Sequence, residues 1–124
     1  MKDEEIVGEI KAEMRKIDDV KIHFTLKKMK LSRISSAQVR SVKIFLALRE
    51  MGLNIVTTNV FYAVYGKSRS NILTVLHLLG DKGVLTWIRR NKSGPLRYML
   101  SEKFLNLWNP NIERKDLNKS SGKD

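Results

Sequence analysis

The stretch from Gly66 to Val84, GKSRSNILTVLHLLGDKGV, limits this chain more than any other. It reads as a tight turn, a short helix and a glycine exit into a strand. Ser68 stands where a side-chain oxygen can accept from the free amides of a first helical turn. Ile72, Leu76 and Leu79 follow at i, i+4 and i+7, so one helix face is apolar. Gly83 ends the helix, because glycine tolerates the left-handed backbone that helix ends commonly require. Ser70, Thr74 and His77 fall opposite the apolar stripe, with Arg69 and Asn71 beside them in the first turn. These are hydrogen-bonding side chains, and the one acid on their side, Asp81, comes at the far end. Such a face suits base edges and phosphates.

Charge points the same way. The chain has 124 residues and a formal net charge of +11. Residues 1–20 carry four basic and seven acidic side chains, whereas residues 21–60 carry eight basic and one acidic. Residues 61–100 carry seven and one, and the last 24 carry five and four. All of the excess therefore lies in the middle of the chain, as expected for a polyanionic partner whose counterions are released on binding. A basic surface that only keeps the protein soluble is the bland alternative. The length suits one domain. No run of about 18 apolar residues predicts a membrane span, and the acidic start MKDEEIVGEI lacks the apolar stretch of a signal peptide. With no cysteine, disulfides and thiolate metal sites are excluded, and a cytoplasmic setting is expected.

In chain order, Ile6, Ile10, Met14 and Ile17 recur at helical spacing through residues 3–17. The acids come early and Arg15 and Lys16 late, as a helix dipole favours. A short helix with one apolar stripe needs a cover. Its own domain is one candidate; a second subunit, gripped by a dimer arm, is the expectation preferred here. Residues 20–31 alternate Val20, Ile22, Phe24 and Leu26 with Lys21, His23, Thr25 and Lys27, which predicts a short strand or an irregular linker. Ser35 or Ser36 is expected to cap a helix reaching about Met51, where Gly52 ends it. Val39, Val42, Phe45 and Leu46 form one stripe and Ile44, Leu48 and Met51 a second, so this helix should be sandwiched.

Asn54, Ile55 and Val56 suffice for a very short strand. Thr57 or Thr58 should cap the next helix, with Val60, Phe61, Val64 and Tyr65 on it and Gly66 as its stop. After Gly83, strand-like runs at 84–90 and 96–100 flank Asn91-Lys92-Ser93-Gly94-Pro95, a β-hairpin signal. Its tip and flanks hold Arg89, Arg90, Asn91, Lys92 and Arg97. Ser101 should cap a last helix carrying Phe104, Leu105 and Trp108, ended by Asn109-Pro110. Residues 113–124, polar and mixed in charge, are expected to be disordered.

That order of elements, with G-K-S-R-S-N-I, Leu76, Leu79, Lys82-Gly83-Val84 and the closing Tyr98-Met99-Leu100-Ser101, resembles the winged helix-turn-helix domain. The resemblance covers about residues 36–101 and is similar to small bacterial and archaeal regulators of the MarR, ArsR and PadR type. It implies a mainly α fold with a small β-hairpin (α+β). The division expected is residues 1–34 as N-terminal helix, linker and possible dimer arm, 35–101 as the winged domain, 102–112 as a C-terminal helix and 113–124 as the tail. One departure concerns the second helix. The family usually has a small residue four positions before the turn glycine, where this chain has Tyr62, with Ala63 one position later. Either the turn is one residue shorter or Tyr62 faces outward.

The resemblance implies double-stranded DNA as partner, read by a homodimer joined through its N-terminal helix. The recognition helix would contribute Ser68, Arg69, Ser70, Asn71, Thr74 and His77, with Arg69 suited to guanine and Asn71 to adenine. The wing would hold phosphates or enter the minor groove through Arg89, Arg90, Asn91, Lys92 and Arg97. Solvent exposure alone is the bland account of Arg69 and Asn71, and a place at the core margin that of His77. Trp87 and Tyr98 suit stacking on nucleic acid, though alternating strands favour core positions for them. A winged-helix docking module for another protein, and charge-driven coating of DNA or RNA, remain alternatives. Enzymatic and metal chemistry are not expected, and no cofactor is. The histidines number two, the basic middle holds only Glu50 and Asp81 as acids, and Gly66-Lys67-Ser68 lacks the upstream glycine of a phosphate-binding loop, which Phe61 replaces.

Overall fold

The computed structural model describes residues 3–53, 58–66, 69–87 and 98–109; at Asp3, Thr58, Arg69, Ser70, Asn71 and Trp87 it describes the backbone only. Among the described residues six helices and two short strands follow one another: α1 (Asp3–Met14), α2 (Asp19–Lys28), α3 (Ser36–Glu50), α4 (Thr58–Tyr65), α5 (Arg69–Asp81), β1 (Leu85–Trp87), β2 (Tyr98–Leu100) and α6 (Glu102–Trp108). The fold is mainly α. No helix among the described residues is long and apolar enough to cross a membrane.

The centre is α3. Ser35 starts it with a full capping box: its Oγ accepts from the Gln38 amide, and the Gln38 side chain accepts from the Ser35 amide. Val42, Ile44, Phe45, Leu46, Ala47 and Leu48 are all buried, so two faces are covered, as the double stripe predicts. Cover comes from α1, α2, α4, α5 and β2. Phe61 of α4 packs between Phe45, tilted to it at 5.4 Å between ring centres, and Tyr65, stacked on it at 6.4 Å. Each such side chain removed from water contributes about 1.5–3 kcal/mol.

One expectation at the N-terminus is corrected. Residues 20–31 form neither strand nor linker, because α2 occupies Asp19–Lys28. Asp18 caps it by accepting from the Val20 amide at 2.9 Å. Ile22, Thr25, Leu26 and Met29 face inward at i, i+3, i+4 and i+7, while Val20 and Phe24 stay exposed. Thr25 fits mid-helix because its hydroxyl donates to the Lys21 carbonyl one turn back. For α1 the chain's own domain supplies a cover. The α1 stripe packs on α3 and α4 of the same chain, with Ile10 and Met14 buried. Ile10, Ile22 and Leu26 share one core with Phe61, Leu76 and Phe104.

The C-terminal half follows the sequence closely. Strands β1 and β2 pair antiparallel, matching Leu85 with Leu100, Thr86 with Met99 and Trp87 with Tyr98. Ser101 caps α6, accepting from the Phe104 amide at 3.0 Å. Helix α6 then packs on α2, where Lys21 sits 4.2 Å from the Trp108 ring centre. The expected strand at 54–56, the Thr57 cap, the hairpin tip and the tail at 113–124 lie outside the described residues.

Candidate nucleic-acid interface

Helix α5 keeps its expected inner stripe, with Ile72, Leu76 and Leu79 fully buried. Its end is a double hydrogen-bonded cap. The Val84 amide donates to the Leu79 carbonyl and the Gly83 amide to the Gly80 carbonyl, which requires the φ of +81° that Gly83 adopts. The chain entering α5 leaves α4 at Gly66, also at positive φ. Arg40 of α3 holds that exit. Its Nε donates to the Tyr65 carbonyl at 2.9 Å, and its guanidinium lies 5.6 Å from the Tyr65 ring centre. A cation at the last carbonyls of a helix meets the negative end of the helix dipole. Burial pushes the Tyr65 phenol up from its ordinary value, partly offset by Arg40.

Of the residues expected to form the recognition face, Thr74 and His77 are exposed on the outer side of α5. Arg69, Ser70 and Asn71 have backbones in its first turn, and the helical period sets Ser70 in line with Thr74. Ser68 and the wing residues Arg89, Arg90, Asn91, Lys92 and Arg97 lie outside the described residues. His77 is neither a lone outward donor nor a core residue. Its Nδ1 and the Tyr98 hydroxyl are 2.9 Å apart, with the rings edge to face at 6.1 Å. The Tyr98 phenol is pushed up, first by burial and then by the negative charge of Asp81. Tyr98 also lies against Gly80, where an added Cβ would stand 3.0 Å from the ring. A side chain of β2 is thereby clamped against α5 by one hydrogen bond and one close contact.

Tyr62, the departure from the expected pattern, is half-buried against the core, while Ala63 is exposed. Helix α4 therefore turns Ala63, not Tyr62, to solvent.

Two features had no part in the expected site. Leu73 and Leu78 are exposed apolar residues on α5, at 40% and 38%. Their signal in the sequence was that they are leucines outside the Ile72, Leu76 and Leu79 stripe. Beside α5 runs an open groove of about 1150 Å³, walled by α2, the start of α3, the end of α4 and the middle of α5. Its rim carries His23, Lys27, Arg40 and Lys43, and its acid Asp19 is held by Lys43 at 2.7 Å. No group of three or more histidine, aspartate or glutamate side chains that would hold a metal occurs among the described residues.

Comparisons with protein-family models, with curated proteins and with solved structures return no match for this chain.

Proposed function

We propose that this protein is a sequence-specific double-stranded DNA-binding regulator of the winged helix-turn-helix type, acting as a homodimer on a two-fold site. The observation that carries the reading is α5 itself. It is anchored by a buried stripe, turns Thr74 and His77 outward, and is tied by Tyr98 to an antiparallel strand pair whose connecting sequence includes Arg89, Arg90, Lys92 and Arg97. Helix α4, the Gly66 turn and α5 stand in the order of a helix-turn-helix, and β1 and β2 take the place of the wing. The excess positive charge of residues 21–100 supplies the attraction to phosphate. In this reading His77 supports the wing through Nδ1 and offers Nε2 to the groove, and Leu73 is suited to a thymine methyl.

Titration of labelled duplexes at several salt concentrations, after selection of a site from random DNA, tests it. A regulator retains a preferred sequence as salt rises, whereas a coating protein loses all sequences alike. Arg69→Ala is expected to cost about 1–3 kcal/mol and relax base preference, while Arg90→Ala weakens every duplex equally and flattens the salt slope. Unchanged preference in Arg69→Ala removes that residue from the readout. The exposed Leu73 and Leu78 favour a second reading, a docking surface for another protein. Absence of duplex binding at low salt would select it.

A further inference from the structure

Helix α2 buries Ile22 and Leu26 and leaves Val20 and Phe24 outward at i and i+4, 63% and 62% exposed. An exposed phenylalanine beside an exposed valine is costly on a ten-residue helix unless something covers it. The residues around the pair restrict what that is. Asp18 and Asp19 stand at the start of the helix and Lys27 and Lys28 in its last turn, and Lys21 between them is turned to the Trp108 ring, so charge changes sign along the exposed face. The geometry points to a second copy of this chain, paired through α2 in antiparallel fashion about a two-fold axis near residues 22 and 23.

One rotation then satisfies both ends. Val20 of each copy meets Phe24 of the other, and Asp19, paired with Lys43 of its own chain yet still exposed, comes to face Lys27 of the other. Such reciprocity is what an isologous interface demands: residue i meets j wherever j meets i. A polyanion would be drawn to Lys27 and Lys28 but would leave Val20 and Phe24 uncovered. An acidic helix of another protein would match the lysines but meet Asp18 and Asp19. The helix, about 15 Å long, is too small alone for the roughly 800 Å² per partner of a standard interface. The adjoining groove enlarges it, since half-buried Ile34, Val39 and Val75 wall the side on which Phe24 of the second copy would lie.

This inference rests on the homodimer part of the function proposed above, moves its interface from α1 to α2, and does not depend on DNA binding. Sedimentation of the full chain without DNA is expected to give a dimer, and Phe24→Glu a monomer with unchanged helical circular dichroism. Because the chain has no cysteine, His23→Cys places a single thiol beside the proposed axis. A short thiol-to-thiol cross-linker should then yield a covalent dimer, and the same reagent on Lys103→Cys of α6 should not. A monomeric wild type overturns the inference. So does a dimer that survives Phe24→Glu, or one that cross-links as well at position 103 as at 23. A dimer that binds no duplex would leave this interface standing and remove the regulator; a monomer that binds duplex would do the reverse.

Discussion

Lys30 has a φ of +68°, the one non-glycine residue at positive φ among the described residues. It ends α2 in the manner of a glycine: the Leu31 amide donates to the Leu26 carbonyl and the Lys30 amide to the Lys27 carbonyl. A side chain in that region costs about 1–2 kcal/mol, so Lys30→Gly is expected to raise stability by about 1 kcal/mol in a denaturant titration with unchanged slope. Ser101 carries the opposite burden. Its hydroxyl donates to the Gly83 carbonyl at 2.7 Å while accepting from the Phe104 amide, and its own amide donates to the Val84 carbonyl. Ser101→Ala removes a cap worth about 1 kcal/mol and leaves a carbonyl without its donor, at a similar further cost. A loss of about 2 kcal/mol by denaturation should result, with the midpoint lowered and the backbone bonds to Val84 kept.

Among the elements, α5 is legible from its apolar stripe and its glycine stop, and α6 from its serine cap. Helix α2 was misread for two physical reasons. Val20, Ile22, Phe24 and Leu26 alternate as a strand would, yet Ile22, Leu26 and Met29 also satisfy a helical period, and only the core on one side decides between them. Its stop is a lysine, so the usual glycine signal was missing. For α1 the stripe was visible but its cover was not, because the second face of α3 offered itself equally to α1 and to a partner. Within the site, the inner stripe of α5 could be read from spacing. The Arg40–Tyr65 and His77–Tyr98 contacts could not, since they join residues 25 and 21 positions apart. The second of these joins the outer face of α5 to β2. Tyr98→Phe is therefore expected to cost no more than about 1 kcal/mol in stability, yet to weaken duplex binding several-fold with an unchanged salt slope. Equal affinity in the two proteins would show that His77 and Tyr98 do not aim the wing.

On the scale of the whole molecule, one core runs from Ile10 to Phe104, with Tyr65 within it and Tyr98 packed against it. Tyr65 and Tyr98 both have phenols raised above the ordinary 10.0. The unfolded chain therefore ionises them first, and what they contribute to stability is full below about pH 10 and lost as pH rises through the folded values. Thermal melts should show a fall in midpoint above about pH 10, shallower in Tyr98→Phe; a midpoint that falls equally in both proteins removes Tyr98 from that dependence. The shared core also has a consequence for synthesis. The ribosome releases α1 first, but the surfaces that cover Ile10 and Met14 belong to α3 and α4, and α4 ends only at Tyr65. A twelve-residue helix with a single apolar stripe is marginal by itself. The nascent chain must therefore carry that stripe uncovered until residue 65 has left the exit tunnel. The early acids, Glu4, Glu5 and Glu9, keep the waiting segment hydrated meanwhile.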